Sequence, residues 1–443
     1  MTTNTYEVID MVTREALEVL KNKLGLGNRC LRQYDKSFGE EGAKIGDTLR
    51  IRIPPRFTTT SGPAPTLQNF VQTQVPVAAQ SQYNVGLEFT TKDLSLSFDS
   101  FKEQFIEPTM AQLATSIDTL GFNALVSNTI TSGTYAGNYS GFTNLVTPGN
   151  VSATTGPASW TGAAVGQTAL SATNPAQSIM STFFGAQARL TNQAAPQDKR
   201  WAVLSPNATA ASLAAQVGLF NPNIDIGDQF KEGMLGMQAG AIWHTSPNVP
   251  NFTSGNWAGG TPVVATTSVD GANTLAVSGF TSGATILAGD QFVIAGVYEV
   301  NPLTRASTGA LQVFTVIANG VNNGSGGFTL SIAPTINSPT SPQYQTVNSL
   351  PTSGETITMM GTANTSTAVN VMYQEQALCL VTAPLADVSD AGAMCVRVED
   401  PEDGFSMRFV KQYQALIDQV VPRIDVLVGW AVTRPSLGVR IQG

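Results

Sequence analysis

The alternation of apolar and polar positions changes character several times along this chain, and each change marks a different kind of element. Over residues 6–24, Ile9, Val12, Ala16, Val19 and Leu20 recur at spacings of three and four, which predicts an amphipathic helix. Glu7 and Asp10 in its first turns and Lys21 and Lys23 in its last complement the helix dipole. Gly25 suits the position just past the end. Residues 44–95 switch to period two. Leu49, Ile51 and Ile53 alternate with Thr48, Arg50 and Arg52, and Tyr83, Val85, Leu87 and Phe89 alternate with Asn84, Gly86 and Glu88. Two such runs predict a long hairpin with these as its strands. A lone hairpin is marginal in water, so it must lean on the protein's own body or on another subunit. The Thr-, Gln- and Pro-rich stretch 54–82 between the runs is longer than a compact domain normally uses as a connection, and reads as functional or disordered.

Helical spacing returns over 101–128, through Leu113, Ile117, Leu120 and Ala124, with Pro108 either opening or kinking the helix. Residues 129–175, rich in Gly, Ser, Thr and Asn, read as an extended loop. A helix follows at 176–193 (Ile179, Phe183, Ala186, Leu190), then a strand at 201–204 and a helix at 207–217. From about 250 to 360 the texture becomes all-β. Short apolar runs at 263–264, 274–277, 291–294, 311–318, 328–332 and 356–360 are separated by Gly, Asn and Ser clusters. That pattern predicts a small barrel or sandwich, inserted into a loop of its host. Residues 376–443 return to a mixed α/β texture, with alternating strands around 405–410 and 423–428 that close the host.

Composition narrows the function. Of 443 residues only 12% are charged, about half the usual share, and the formal net charge is −8. An acidic chain without a basic stripe is a poor general nucleic-acid binder. No apolar run approaches a membrane span, and the start lacks the pattern of a secretory signal. Three cysteines, Cys30, Cys379 and Cys395, without close pairing argue for a reduced setting and against a disulfide or zinc framework. Of the 23 basic residues, 10 fall in the first 60. That end is the best candidate for a charged partner, against the plainer reading of a solvated helix face.

Catalytic patterns are scarce. The single histidine, His244, reads as a hydrogen-bonded structural residue, since metal partners at a suitable spacing are missing. Nucleophile-elbow, Walker, dinucleotide and zincin motifs do not occur. Gly324-Ser325-Gly326-Gly327 reads as a turn. The acidic run Glu399-Asp400-Pro401-Glu402-Asp403-Gly404 could suggest a carboxylate pair or a calcium loop, but its Pro and Gly mark a turn between strands. Cys379 and Cys395 read as small buried hydrophobes. Arg50 and Arg52 could pair across strands with Glu88 or with a neighbouring subunit.

The order of parts, together with three stretches, carries a resemblance. The stretches are 288–302 (AGDQFVIAGVYEVNP) with 307–316 (STGALQVFTV), 200–206 (RWAVLSP), and near the end Gln412-Tyr413, 423–427 (RIDVL), Gly429-Trp430 and Arg434-Pro435. The chain resembles the major capsid proteins of tailed bacteriophages with the Hong Kong 97 fold, and more narrowly the P22-like podovirus coat proteins with an inserted β-barrel. The resemblance implies an α+β capsid fold. Residues 1–43 would be an N-arm, 44–95 the extended loop and 96–200 the peripheral domain with its spine helix. Residues 201–249 and 361–443 would form the axial domain, and 250–360 the inserted barrel. It implies self-assembly into hexamers and pentamers of an icosahedral head enclosing double-stranded DNA without sequence-specific binding. Implied partners are a scaffolding protein during assembly, a portal protein at one vertex and a decoration protein, with no membrane. The site would be the virion capsid, assembled in the host bacterial cytoplasm. No enzymatic activity and no cofactor or metal is implied. Candidate interface residues are Arg14, Lys21, Lys23, Arg29, Arg32, Arg50, Arg52, Arg56 and Glu88. Two alternatives are another virion component, such as a tail or fibre protein, and a hydrolase using the acids at 399–403.

Overall fold

The computed structural model describes residues 4–32, 48–59, 61–63, 67–69, 74–86, 88–90, 106–126, 144–146, 175–216, 236–389, 392–400, 405–414 and 419–442. Most of the 129–175 stretch and residues 401–404 of the acidic run lie outside them. Among the described residues sheet dominates. The helices are α1 (Asn4–Lys23), α2 (Glu107–Val126), α3 (Pro175–Asn192) and α4 (Pro206–Gln216). Pro108 stands in the first turn of α2 and opens the helix rather than kinking it. The chain divides into two compact units, one of residues 1–53, 74–122 and 378–431, the other of 54–73, 123–377 and 432–443.

In the first unit a sheet runs in the order Leu378–Ala383, Gln419–Val432, Ser406–Gln414, Met394–Glu399. Ser81–Gly86 and Phe89–Thr90 also pair with Gln419–Val432. The first hairpin strand, Thr48–Arg52, pairs antiparallel with Gln74–Ala78, with Ile51 opposite Val75. This corrects the expected pairing: Tyr83, Val85 and Phe89 belong to the sheet, Leu87 lies outside the described residues, and the return strand lies inside the stretch read as loop. Val75 and Val77 are its only large apolar residues, so its period was too short to stand out among Gln and Pro. Ile51, Val75 and Val77 are buried against Cys379, Val381 and Ala431. The base of the hairpin therefore leans on the protein's own body.

Helix α1 buries Ala16, Leu17 and Leu20, with Val19 half-buried; the side chains of Ile9 and Val12 lie outside the described ones. Helix α2 buries Met110, Leu113, Ile117 and Phe122. It has Gly121 where Trp430 and Leu26 approach: an added Cβ would lie 2.7 Å from Leu26 Cδ2 and 2.8 Å from Trp430 Cε2. The Trp430 indole N–H donates to the Ile117 carbonyl at 3.0 Å.

The second unit holds two sheets. One runs Asn144–Val146, Gly438–Gln442, Ser366–Gln374, Arg200–Leu204, Ala241–Thr245, Met237–Gln238, with Asn251–Thr253 on the end of Ser366–Gln374. The other follows the path Gly260–Val264, Ala272–Phe280, Phe328–Ile336, Ser307–Val316, Gln291–Val300, Ile357–Met359. A bridge between Val263 and Thr356 joins its two ends. Its interior is a core of Leu275, Val277, Ile294, Phe314, Leu330, Ile332 and Ile357, with Phe292 stacked on Phe314. All six short apolar runs expected between 250 and 360 are strands here. The mixed texture expected for 376–443 is not found among its described residues: they form strands and short 3₁₀ turns, in keeping with the period-two alternation around 405–410 and 423–428.

Candidate assembly surface

Burying Ala16, Leu17 and Leu20 turns the opposite face of α1 to solvent, and that face carries exposed Arg14, Glu18 and Lys23. Lys21, half-buried, forms an ion pair with Asp400. A groove of about 700 Å³ runs between α1 and the strand Met394–Glu399, lined by Arg14, Leu17, Glu18, Lys21, Arg397 and Asp400 among others. Beyond the helix, Arg29 and Arg32 knit the following turn. Arg29 donates to the Gly25 carbonyl. Arg32 donates to the Gly27 carbonyl from Nε at 3.2 Å and from Nη2 at 2.9 Å, and to Asn28 Oδ1 at 2.7 Å. Asp118 of α2 receives the same turn, accepting from the backbone N–H groups of Gly25 (2.7 Å), Leu26 (3.1 Å) and Gly27 (3.1 Å). Burial raises its carboxyl above the ordinary range, against the pull of those three donors and of Arg29. Next to it, burial foremost and then the neighbouring Cys379 push the Cys30 thiol up.

In the hairpin Arg50 faces Pro76 and Arg52 faces Gln74 across the ladder, so neither is the cross-strand partner of Glu88. All three side chains are exposed. Arg56 follows the first strand and is half-buried; burial, then the like charges of Arg305 and Arg434, lower its pKa. Leu67, further along the connection, is 95% exposed.

Among the described residues no group of three or more His, Cys, Asp or Glu could hold a metal ion, and no helix is long and apolar enough to cross a membrane. His244 is a half-buried strand residue in register with Val203. The glycine-rich run 324–327 is a turn, with the Asn323 N–H donating to the Gly327 carbonyl at 2.9 Å. Cys379 sits in the apolar cluster under the hairpin. Cys395 does not match its expected apolar setting: it is half-buried, and its thiol donates to the Asp387 carboxylate, which is exposed on an adjoining turn.

Residues 158–443 match the family model described as P22 coat protein, gene protein 5. The chain belongs to the P22 coat protein family. It is a tailed-phage major capsid protein, a subunit of an icosahedral shell. No curated relative matches the chain. Among solved structures it is similar to one of Mycobacterium phage Che8, at 11% identity and TM-score 0.40 over 94% of this chain and 90% of the other. The capsid of cyanophage P-SCSP1u matches at 12% identity and TM-score 0.41, over 90% and 83%. The CUS-3 coat protein I-domain matches at 24% identity and TM-score 0.19, over 23% of this chain and 96% of the other.

Several charged groups of this P22 coat family member escaped sequence reasoning. Asp425 is fully buried, accepting from Arg408 Nη2 at 2.6 Å and Nε at 3.2 Å, and from Arg423 Nε at 2.6 Å. The alternation places it on the polar face of its strand, yet two guanidiniums cover it. Glu299, also fully buried, pairs with Arg189 of α3 and accepts from Gln193 Nε2 at 2.6 Å. Arg440 is buried over the Phe252 ring, 5.0 Å from its centroid, and donates to the Gly289 carbonyl at 2.8 Å. Its burial lowers its pKa to about 10, with Asp290 pulling the other way. The only hint of these groups in the sequence is a charge within an apolar run. Two exposed apolar residues were missed as well. Met237 and Ile242 are cross-strand neighbours at the edge of their sheet, 73% and 42% exposed.

Proposed function

We propose that this coat subunit forms the hexamers and pentamers of its shell by head-to-tail contacts around rotation axes, in a Hong Kong 97-like fold. In this reading 1–43 is the N-arm, 44–95 the extended loop, and 96–200 the peripheral domain with α2 as its spine. Residues 201–249 and 361–443 form the axial domain, and 250–360 are an inserted β-barrel. The observation that carries the reading is the family match across 158–443, which spans the insertion and the strands that flank it. Two features support it: a hairpin whose connection exposes Leu67, and the exposed Met237–Ile242 pair on a sheet edge. Each contact between copies is weak, but every subunit makes many, and multivalency stabilises the whole.

The role is structural and non-enzymatic, and the subunit resides in the virion after assembly in the bacterial cytoplasm. The shell encloses double-stranded DNA without reading its sequence, and scaffolding, portal and decoration proteins are its partners. Exposed Arg14, Lys23, Arg50, Arg52 and Glu88 serve as interface charges. Lys21, Arg29 and Arg32 contribute mainly by fixing the shape of the N-arm that presents them. Electron microscopy of the purified protein, alone and with a scaffolding protein, tests the reading. Closed shells are expected, and a monomer persisting at high concentration under both conditions overturns it. Within it, R14E/K23E is expected to lower particle yield several-fold while the far-UV spectrum of the subunit is unchanged. Wild-type yield would remove the N-arm charges from the interface.

A further inference from the structure

Three arginines of the second unit come together with no carboxylate partner among the described residues. Arg305 is the only basic residue between 246 and 369. It sits in the tight turn joining the strands Gln291–Val300 and Ser307–Val316, where the Asn301 side-chain oxygen accepts from the N–H groups of Leu303 (2.9 Å) and Thr304 (3.1 Å). Its backbone has φ of 60°, a conformation that costs a non-glycine residue energy and is worth reading as a clue to function. From there Nη1 donates to the Gln343 carbonyl at 2.9 Å and Nη2 reaches the Phe57 carbonyl at 3.4 Å. Gln343 in turn donates from Nε2 to the Arg56 carbonyl at 2.5 Å. The Arg305 guanidinium is thus tied, directly and through Gln343, to the backbone at Arg56 and Phe57.

Arg434 lies within electrostatic reach of Arg56, with Nη1 donating to Gln376 Oε1 at 2.8 Å. Among the described residues none of the three guanidiniums has a carboxylate partner, and that of Arg56 has no hydrogen bond. The Tyr344 hydroxyl next to them is buried and unpartnered. Arg56 is repelled by the other two, and all three are half-buried and partly desolvated; a single anion bound among them would relieve both costs.

We propose that Arg56, Arg305 and Arg434 form a receptor for a carboxylate presented by a second copy of this chain. The guanidinium fork matches a carboxylate in bidentate geometry. The chain supplies such groups in excess, with 31 acidic residues against 23 basic. A capsid subunit meets many copies of itself, and Arg56 lies on the connection of the extended loop. The inference rests on the reading of that loop as an arm between subunits.

The test is assembly of R56Q/R305Q/R434Q beside the parent chain, followed by light scattering and electron microscopy, with thermal melting of the unassembled subunits. Removing repelling charges is expected to leave the melting temperature unchanged or raised. The concentration at which shells first form is expected to rise at least tenfold. A triple variant that assembles like a competent parent overturns the proposal alone; a parent that forms no shells overturns the assembly reading with it. A density map of the parent shell, which does not depend on the variant folding, is expected to place a neighbour's Asp or Glu carboxylate within about 4 Å of the guanidiniums. A map with a free anion there, or with no carboxylate nearby, overturns the proposal. So does tight binding of inorganic phosphate that blocks no contact between copies.

Discussion

At the scale of single residues, the polar groups that matter are those held by specific partners, whether at the surface or buried. Asp270 accepts from the Ser338 N–H at 2.6 Å and the Ser341 hydroxyl at 2.5 Å, clamping two loops of the all-β region. The Ser341 hydroxyl first, then the Ser338 N–H, holds its carboxyl down to about 2. A folded-state pKa below the unfolded value means stability that is present above the ordinary carboxylate range and is lost as pH falls from about 4 towards 2. D270N should therefore flatten the pH dependence of melting in that window while costing little at pH 2. Parallel slopes for the two proteins would reject this. Glu299 is a harsher case. Truncating one partner of a buried pair strands the other, at about 3–5 kcal/mol, whereas an apolar pair of similar volume can be neutral. E299A is expected to destabilise the subunit by that amount in urea denaturation, and R189M/E299M to recover most of it.

At the scale of elements, close approach decides which residues are tolerated. Helix α2 meets Trp430 and Leu26 at Gly121, where a Cβ has no room. G121A gains up to about 1 kcal/mol of helix propensity but overpacks a filled site at about 1–3 kcal/mol. A net loss of about 1–2 kcal/mol in chemical denaturation is expected, and a stabilised variant would show that the helix can shift. The same scale shows where sequence reasoning succeeded. Helices α1, α2 and α3 and the six strand runs between 250 and 360 were legible because each is long or strongly periodic. The return strand Gln74–Ala78 was not, since two valines among Gln and Pro cannot announce a partner whose choice depends on the sheet beneath it.

At the scale of the whole molecule, the question is what the subunit presents to its neighbours. Met237 and Ile242 leave apolar surface on a sheet edge, and edges are where chains add to one another. M237E/I242E should leave the melting temperature of the unassembled subunit within about 2 °C of the parent, since exposed sites carry little stability. It should also cut shell yield by tenfold or more, measured by gradient sedimentation. Undiminished yield would remove that edge from the interface. Of the candidate interface charges, Arg14, Lys23, Arg50, Arg52 and Glu88 are exposed, whereas Lys21, Arg29, Arg32 and Arg56 are half-buried. Nothing in their sequence context distinguishes the two sets, because the partners of Lys21 and the packing that shapes the turn at Gly25–Gly27 come from residues about 90 to 380 positions away.

What the sequence determined by itself is local: the periods of its helices and strands, the all-β texture of 250–360, the concentration of basic residues near the start, and the motifs that placed the chain near the phage coat proteins. These are properties of neighbours along the chain, and the physics of a helix face or a pleated strand reads them directly. The tertiary structure alone decided which strand closes the hairpin, that Asp118, Glu299, Asp425 and Arg440 are buried and partnered, and that three arginines distant in sequence stand together. Those facts depend on burial and on charges brought close through space, and pairing across such separations leaves no periodic trace in the sequence.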